Sequence, residues 1–298
     1  MRVLVTGATG LVGAALVPAL ERKHQVLRLT RRVPRSAAEL RWDPEAGALE
    51  RRALEGLDAA VHLAGESIGG RRWNAAHKRR VRESRVRGTR LLCEVLAALE
   101  RPPRVLVSAS AIGWYGDRGD ERLTEESAPG NGFLAEVARE WEEATAPAGG
   151  RGIRVVRMRT GIVLAARGGA LAPMRRIFGL GLGGPFGRGR QWMSWVALDD
   201  VVAAIGHCLA RETLRGPVNA VSPGAVTQRE FARTLARVLG RPARFPAPPV
   251  ALRLVLGREM ADELLLSSQR VEPRRLLETG YAFRFPDLEP ALRHVLAG

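Results

Sequence analysis

A doubly wound, mainly parallel α/β sheet with a smaller, mainly helical C-terminal lobe is the fold class this sequence predicts, and three observations predict it. Short apolar runs alternate with amphipathic stretches through roughly the first 220 residues, the rhythm of stacked βαβ units. A glycine-rich turn joins the first apolar run directly to the first amphipathic stretch. After residue 220 the alternation stops and helical patterning alone continues.

In chain order, strands are expected at residues 2–5, 26–29, 59–63, 105–107, 153–158 and 218–220, where short apolar runs are bounded by turn residues. Residues 11–21, 73–99 and 133–145 carry helical spacing and supply the crossovers that parallel strands require. The glycine-rich stretch 168–189 is too short and too apolar for a disordered linker. Thr227-Gln228-Arg229-Glu230 forms a capping box, since the Thr227 hydroxyl can satisfy a first-turn amide while Glu230 reaches back. A helix is therefore expected to run to about Leu239. Residues 241–249 form a proline-rich connection, further helices are expected within 249–266, and Pro273 opens a short helix that Gly280 ends. The domain division that follows is a main domain at 1–165, with 195–222 returning to it, and a lobe built from 166–194 and 223–298.

With 298 residues, 46% of them hydrophobic, the chain can bury a large core without disulfides or metal. Cys93 and Cys208 sit among apolar neighbours and read as buried thiols. His62, His77 and His207 lack a paired ligand spacing, so no metal site is expected. The first residues already read as a strand rather than a signal peptide, and no apolar run approaches a membrane span. A soluble cytoplasmic protein with no membrane partner is the expectation. The formal net charge of +16 invites a nucleic-acid reading. That reading is set aside because the positive charge is almost all arginine, scattered from Arg2 to Arg293 among carboxylates, as a global compositional bias would leave it.

The turn reads Gly7-Ala8-Thr9-Gly10-Leu11-Val12-Gly13. Gly7 lets the chain leave the strand sharply, Gly10 lets backbone approach a pyrophosphate, and Gly13 lets the helix lie close to the sheet. The helix start then offers free amides and the positive end of its dipole to phosphates. A plain structural turn is the alternative, but strand, loop and helix in this order mark a Rossmann-type dinucleotide site, with Gly7, Thr9, Gly10, Leu11, Val12 and Gly13 against the cofactor. The second strand ends Leu29-Thr30-Arg31-Arg32, where an NAD-selective site normally carries a carboxylate. Guanidinium groups bind a 2′-phosphate in bidentate fashion and Thr30 adds a hydroxyl, so NADP(H) is the expected cofactor. The alternative is that both arginines are ordinary surface charges in an arginine-rich protein.

Further motifs carry a family resemblance. Thr6-Gly7-Ala8-Thr9-Gly10-Leu11-Val12-Gly13, Asp58-Ala59-Ala60-Val61-His62-Leu63-Ala64-Gly65, Val86-Arg87-Gly88-Thr89, Ser108-Ala109-Ser110-Ala111 with Tyr115-Gly116, and Trp195-Val196-Ala197-Leu198-Asp199-Asp200-Val201 together resemble the extended short-chain dehydrogenase/reductases of the nucleotide-sugar epimerase type. Trp42-Asp43, Arg71-Arg72-Trp73-Asn74 and Gly181-Leu182-Gly183-Gly184-Pro185 are more similar to the subgroup called epimerase family proteins, as are residues 250–298. The resemblance implies that Leu63, Ala64 and Gly65 pass the adenosine half of the cofactor. It also puts Ser108 on the catalytic-serine strand beside the cofactor, and Arg85 where many relatives have an asparagine near the nicotinamide. Thr160 would touch the nicotinamide end, at the junction with the substrate lobe.

The family's Tyr-x-x-x-Lys pair is missing, because Phe133 and Val137 stand at the expected positions and neither transfers a proton. Ser110 and Tyr115 are the substitute catalytic candidates, Ser110 to orient a carbonyl and Tyr115 to deliver a proton if a nearby arginine lowers its pKa. Glu136 and Arg159 are further polar candidates near strand ends. Segments 180–187 and 192–195 are read as a pocket wall, with ordinary packing the alternative for Trp192 and Trp195. The expected function is an NADP(H)-dependent oxidoreductase or epimerase acting on a small hydroxyl or carbonyl substrate. The alternative is a non-catalytic NADP(H)-binding sensor or scaffold. Relatives often dimerise through the helices at 73–99 and 133–145, so a monomer or a homodimer is expected.

Overall fold

The computed structural model describes residues 1–297. Its elements in chain order are β1 (Arg2–Thr6), α1 (Leu11–Glu21), β2 (Gln25–Thr30), β3 (Glu39–Asp43), β4 (Ala48–Leu49), β5 (Ala59–His62), α2 (Ala75–Ala97) and β6 (Val105–Ala111). There follow α3 (Phe133–Glu143), α4 (Ala146–Gly150), β7 (Arg154–Thr160), α5 (Leu171–Gly179), α6 (Leu198–Ala210) and β8 (Gly216–Ala220). The C-terminal part adds α7 (Gln228–Val238), α8 (Pro249–Leu256), α9 (Arg258–Ala261), α10 (Arg274–Glu278) and α11 (Leu288–Ala297).

These eight strands form the main sheet in the order β8-β7-β6-β5-β1-β2-β3-β4, all neighbours parallel except the β3–β4 edge pair, and short strands elsewhere pair in three two-stranded ladders. The chain winds outward from β1 in one direction and returns through β5 in the other, so the switch point lies between β1 and β5, where open α/β sheets bind ligands. Alternating side chains serve two cores. Val3 and Val5 of β1 pack with Leu16 and Leu20 of α1 and with Val201 and Ile205 of α6, while Leu4 faces Leu92 and Leu96 of α2. Each such buried side chain contributes roughly 1.5–3 kcal/mol.

A third core gathers the C-terminal helices around Trp195. Phe178 of α5 and Trp195 meet Phe231 and Leu235 of α7 and Leu288 and Leu292 of α11. The capping box at Thr227 forms as the sequence predicts, with the Thr227 hydroxyl accepting from the Glu230 amide at 3.3 Å and the Glu230 carboxylate accepting from the Thr227 amide at 2.8 Å. Three features differ from the expectation. Strands β3 and β4 were not anticipated, because Glu39-Leu40-Arg41-Trp42-Asp43 is mostly polar and buries chiefly Trp42 on an edge. Helix α5 lies inside the glycine-rich stretch. The helical region after Pro249 is interrupted at Gly257, whose φ of +88° stops α8, and it ends in a π-helical turn at Asp262–Leu266.

Candidate functional site

At the end of β1 the backbone closes tightly on itself. A Cβ on Gly7, whose φ is +67°, would stand 2.7 Å from the Leu63 carbonyl carbon, and one on Gly13 would stand 2.1 Å from the Gly7 oxygen. Glycine is therefore demanded at both positions, at the first by conformation as well as contact. Gly10 is the N-cap of α1 and brings no side-chain hydrogen bond, so the first-turn amides are free for a ligand, beside an exposed Thr9.

The loop is braced by a buried relay. Thr6 Oγ1 accepts from the Leu63 and Ala64 amides at 3.1 and 3.2 Å and lies 2.7 Å from His62 Nδ1. With its lone pairs committed, the Thr6 hydroxyl donates to Nδ1, which leaves His62 Nε2 carrying the proton that it gives to Thr89 Oγ1 at 2.9 Å. Trp141 Nε1 donates to the same Thr89 oxygen at 2.9 Å. Burial pushes His62 down from 6.5 to about 4, so the ring is neutral at physiological pH. The glycine loop, the end of β5, α2 and α3 are thus one hydrogen-bonded unit. His62, read from sequence as an isolated histidine, is its centre.

Leu63, Ala64 and Gly65 line the end of β5, half-buried to exposed. Arg85 lies against Gly65 rather than in the open: a Cβ there would approach its guanidinium carbon to 3.3 Å. Arg85 Nη1 donates to the Glu66 and Val81 carbonyls at 2.9 and 3.1 Å, and its guanidinium sits 5.0 Å from the Trp141 ring centre. Burial lowers its pKa to about 10, which still leaves it charged. At the end of β2, Thr30 Oγ1 accepts from the Arg32 amide at 3.1 Å, and Arg31 and Arg32 are exposed. Neither guanidinium has a protein hydrogen-bond or ion-pair partner among the described residues. Thr160 ends β7 in register with Ala111 and Ala220, half-buried. The adjacent ends of β1, β2 and β5 therefore carry Gly7, Thr9, Gly10, Leu11, Val12, Gly13, Thr30, Arg31, Arg32, Leu63, Ala64 and Gly65 around the switch point, while Thr160 ends β7, two strands beyond β5.

Three expected site residues lie elsewhere. Ser108 is buried in mid-strand, in register with His62 and Arg157, and its Oγ has no partner among the described residues. Ser110 is buried and donates to Glu142 Oε1 at 2.7 Å. Arg159 Nε and Nη2 clamp the same carboxylate at 2.7 and 3.0 Å, while its Nη1 donates to the Tyr115 hydroxyl at 3.1 Å. That hydroxyl lies 2.7 Å from Asn219 Oδ1 and 2.9 Å from the Thr124 carbonyl, and the Tyr115 ring is fully buried. The anticipated arginine is present beside Tyr115, yet burial outweighs it and the phenol pKa is raised rather than lowered. Sequence reasoning set Ser110 and Tyr115 at the crevice; the structure puts both inside a buried ionic network beneath it.

Glu142 and Asn219 were not singled out, because nothing in their neighbourhoods marks them until strand order brings β6, β7 and β8 side by side. Phe133 and Val137 pack with Val81 in a small apolar cluster that also touches Ile68 and Trp73. The N-terminus of α3 is capped from a distance: Glu263 accepts from the Phe133 and Leu134 amides, both at 2.8 Å. Glu136 is exposed and pairs with Arg82 at 2.9 Å, a surface contact.

Fold and cradle define a dinucleotide-binding α/β protein, and comparison with known sequences assigns its lineage. The chain belongs to the NAD dependent epimerase/dehydratase family, which matches residues 3–220; residues 247–295 match a domain of unknown function, DUF1731. It is 42% identical to epimerase family protein MT2273 of Mycobacterium tuberculosis over 97% of this chain and 96% of that protein. The crystal structure of human epimerase family protein SDR39U1 (isoform 2) with NADPH is 36% identical, with a TM-score of 0.93 over 100% of this chain and 99% of that one. A nucleoside-diphosphate sugar epimerase from Corynebacterium glutamicum is 38% identical, with a TM-score of 0.82 over 99% of this chain and 58% of that one.

Proposed function

We propose that this protein binds NADP(H) at the switch point and acts as an NADP(H)-dependent oxidoreductase or epimerase on a small hydroxyl or carbonyl substrate, without a Tyr-x-x-x-Lys pair. The observation that carries the reading is the cradle itself. Gly7 and Gly13 leave no room for a side chain, the first-turn amides of α1 are uncapped, and Arg31 and Arg32 stand exposed at the next strand end. These residues fit a pyrophosphate and a 2′-phosphate respectively. The human relative crystallised with NADPH supports the same choice. When bound, the nicotinamide supplies hydride donation and acceptance. Leu63, Ala64 and Gly65 leave space along the adenosine half, and Thr160 stands at the substrate end.

Ser110 and Tyr115 serve this reading as positioning groups. Through Glu142 and Arg159 they fix the ends of β6, β7 and β8 below the substrate, with hydrogen bonds of 2.7–3.1 Å. The apolar pair Phe133 and Val137 favours a second reading, a non-catalytic NADP(H) sensor or scaffold.

Titration of NADPH and NADH by nucleotide fluorescence tests the cofactor. Replacing Arg31 and Arg32 together by alanine is expected to weaken NADPH binding roughly 10- to 100-fold, as the loss of one or two charge-assisted hydrogen bonds implies, and to leave NADH unchanged. An unaltered preference for NADPH would remove the assignment of those arginines. Turnover of any carbonyl compound by the NADPH-loaded protein favours the enzyme; indifference across a broad panel favours the sensor.

A further inference from the structure

Of the ten large apolar side chains that stand exposed among the described residues, seven fall in two short segments of the lobe. Ile177, Leu180 and Leu182 end α5 and begin the loop after it; Phe245 precedes α8, and Val250, Leu254 and Val255 lie on it, each more than half exposed. The two segments are joined by backbone. The Phe245 amide donates to the Gly183 carbonyl at 3.3 Å, the Ala247 amide to Pro185 at 2.9 Å and the Gly187 amide to Ala247 at 2.9 Å. The two exposed apolar segments are thus carried on one backbone-paired ribbon, and α8 contributes no buried residue to any core. Scattered exposed apolar residues need no explanation, whereas a contiguous strip of them marks a surface that something covers.

Charge indicates what covers it. Residues 144–198 contain no aspartate or glutamate, and neither do residues 231–258. The positive balance that seemed diffuse along the whole chain is therefore undiluted around the ribbon, where Arg175, Arg176, Arg241 and Arg244 are exposed. None of these four has a carboxylate partner among the described residues. The carboxylates that follow α8 are engaged: Arg253 pairs with Asp262 at 2.8 Å, Lys78 with Glu259 at 2.6 Å, and Glu263 accepts from the Phe133 and Leu134 amides. A second copy docking face to face would oppose arginine to arginine. An apolar strip beside unpaired arginines, with the nearby carboxylates already engaged, instead matches the interface of an anionic bilayer, where aliphatic side chains enter the acyl boundary and guanidinium groups meet headgroup phosphates.

We propose that the ribbon formed by residues 177–182 and 245–255 docks this protein peripherally on an anionic lipid surface. The same helix borders the cofactor domain. Arg72, in the loop after β5, donates to the Leu254 and Val255 carbonyls at the end of α8, and Lys78 of α2 pairs with Glu259 of the following α9 at 2.6 Å. Docking therefore turns the side of the molecule that joins the lobe to the strand ends toward the bilayer. The inference stands whether or not the protein turns over a substrate.

Vesicle co-sedimentation of the full chain tests it, with phosphatidylglycerol mixed into phosphatidylcholine compared against phosphatidylcholine alone. Wild type is expected to sediment with the anionic vesicles only, and to be released as salt rises. Phe245→Asp with Leu254→Asp is expected to lower partitioning about tenfold or more, since aspartate opposes both the insertion and the surface charge. Arg176→Gln with Arg244→Gln is expected to remove the preference for anionic lipid. Unchanged melting temperature and NADPH binding in both variants show that the fold is intact. Wild type remaining in the supernatant with both vesicle types overturns the proposal, as does a Phe245/Leu254 variant that partitions like wild type. A concentration-dependent dimer in solution that Leu254→Asp dissolves also overturns it, by assigning the ribbon to a second copy.

Discussion

His62 is a base held neutral by its surroundings, and that has a measurable consequence. Its folded pKa of about 4 lies below the ordinary 6.5, so between those values the unfolded chain binds more protons than the folded one. The sign follows: stability contributed by His62 is fully present above pH 6.5 and is lost progressively as pH falls toward 4, below which both states are protonated and the loss stops. The displacement is worth about 3 kcal/mol for a fully buried ring. Replacing His62 by glutamine, which takes no proton in this range, is expected to flatten the pH dependence of the melting temperature across that window. An equally steep acid limb in the variant would mean that other groups carry it. Cys93 and Cys208 illustrate the opposite outcome of the same burial: their thiols are pushed up to about 12 and are inert, in keeping with the sequence reading.

Elements were legible where their pattern is local. The β1 turn into α1 and the Thr227 cap were readable because every participant lies within a few residues. Strand β3 and the Glu263 cap on α3 were not, since the first depends on an edge partner and the second spans 130 residues. The same distinction separates the site residues. Glycine spacing reveals the cradle, but whether Ser110 and Tyr115 face ligand or core depends on what β7 and β8 bring beside them. Helix α1 offers the sharpest test at this scale. Alanine at Gly13 would set its Cβ 2.1 Å from the Gly7 oxygen, an overlap that only a shift of α1 away from β1 relieves. The first-turn amides would move with the helix. Gly13→Ala is therefore expected to weaken NADPH and NADH alike by more than about tenfold, unlike the arginine variants, because the pyrophosphate contact is common to both nucleotides. Equal binding by wild type and variant in calorimetric titration would detach the cradle from the cofactor.

The C-terminal part of the chain shares its core with the sheet. Leu276 and Tyr281, from the C-terminal part, belong to the same apolar core as β1, α1 and α6, and the Asp200 carboxylate accepts from the Arg284 and Phe285 amides at 2.8 and 3.0 Å. The Ser268 amide donates to Asp117 Oδ1 at 3.0 Å and the Ser268 hydroxyl donates to the Gly119 carbonyl at 2.6 Å, so the segment near Ser268 is held against the chain that follows β6. Removing the lobe would open the core around Trp195 as well as this clasp. One cooperative unfolding transition is thus expected in scanning calorimetry, with van't Hoff and calorimetric enthalpies equal. NADPH at a hundredfold over its Kd is expected to add about 2.7 kcal/mol to that single transition. Hydrogen exchange should then slow in α7 and α11 together with the glycine loop, although neither helix belongs to the cofactor cradle. Two resolved transitions, or protection confined to residues 1–220, would show that the C-terminal part folds as an independent body and that the contacts of Asp200 and Ser268 do not couple it to the sheet.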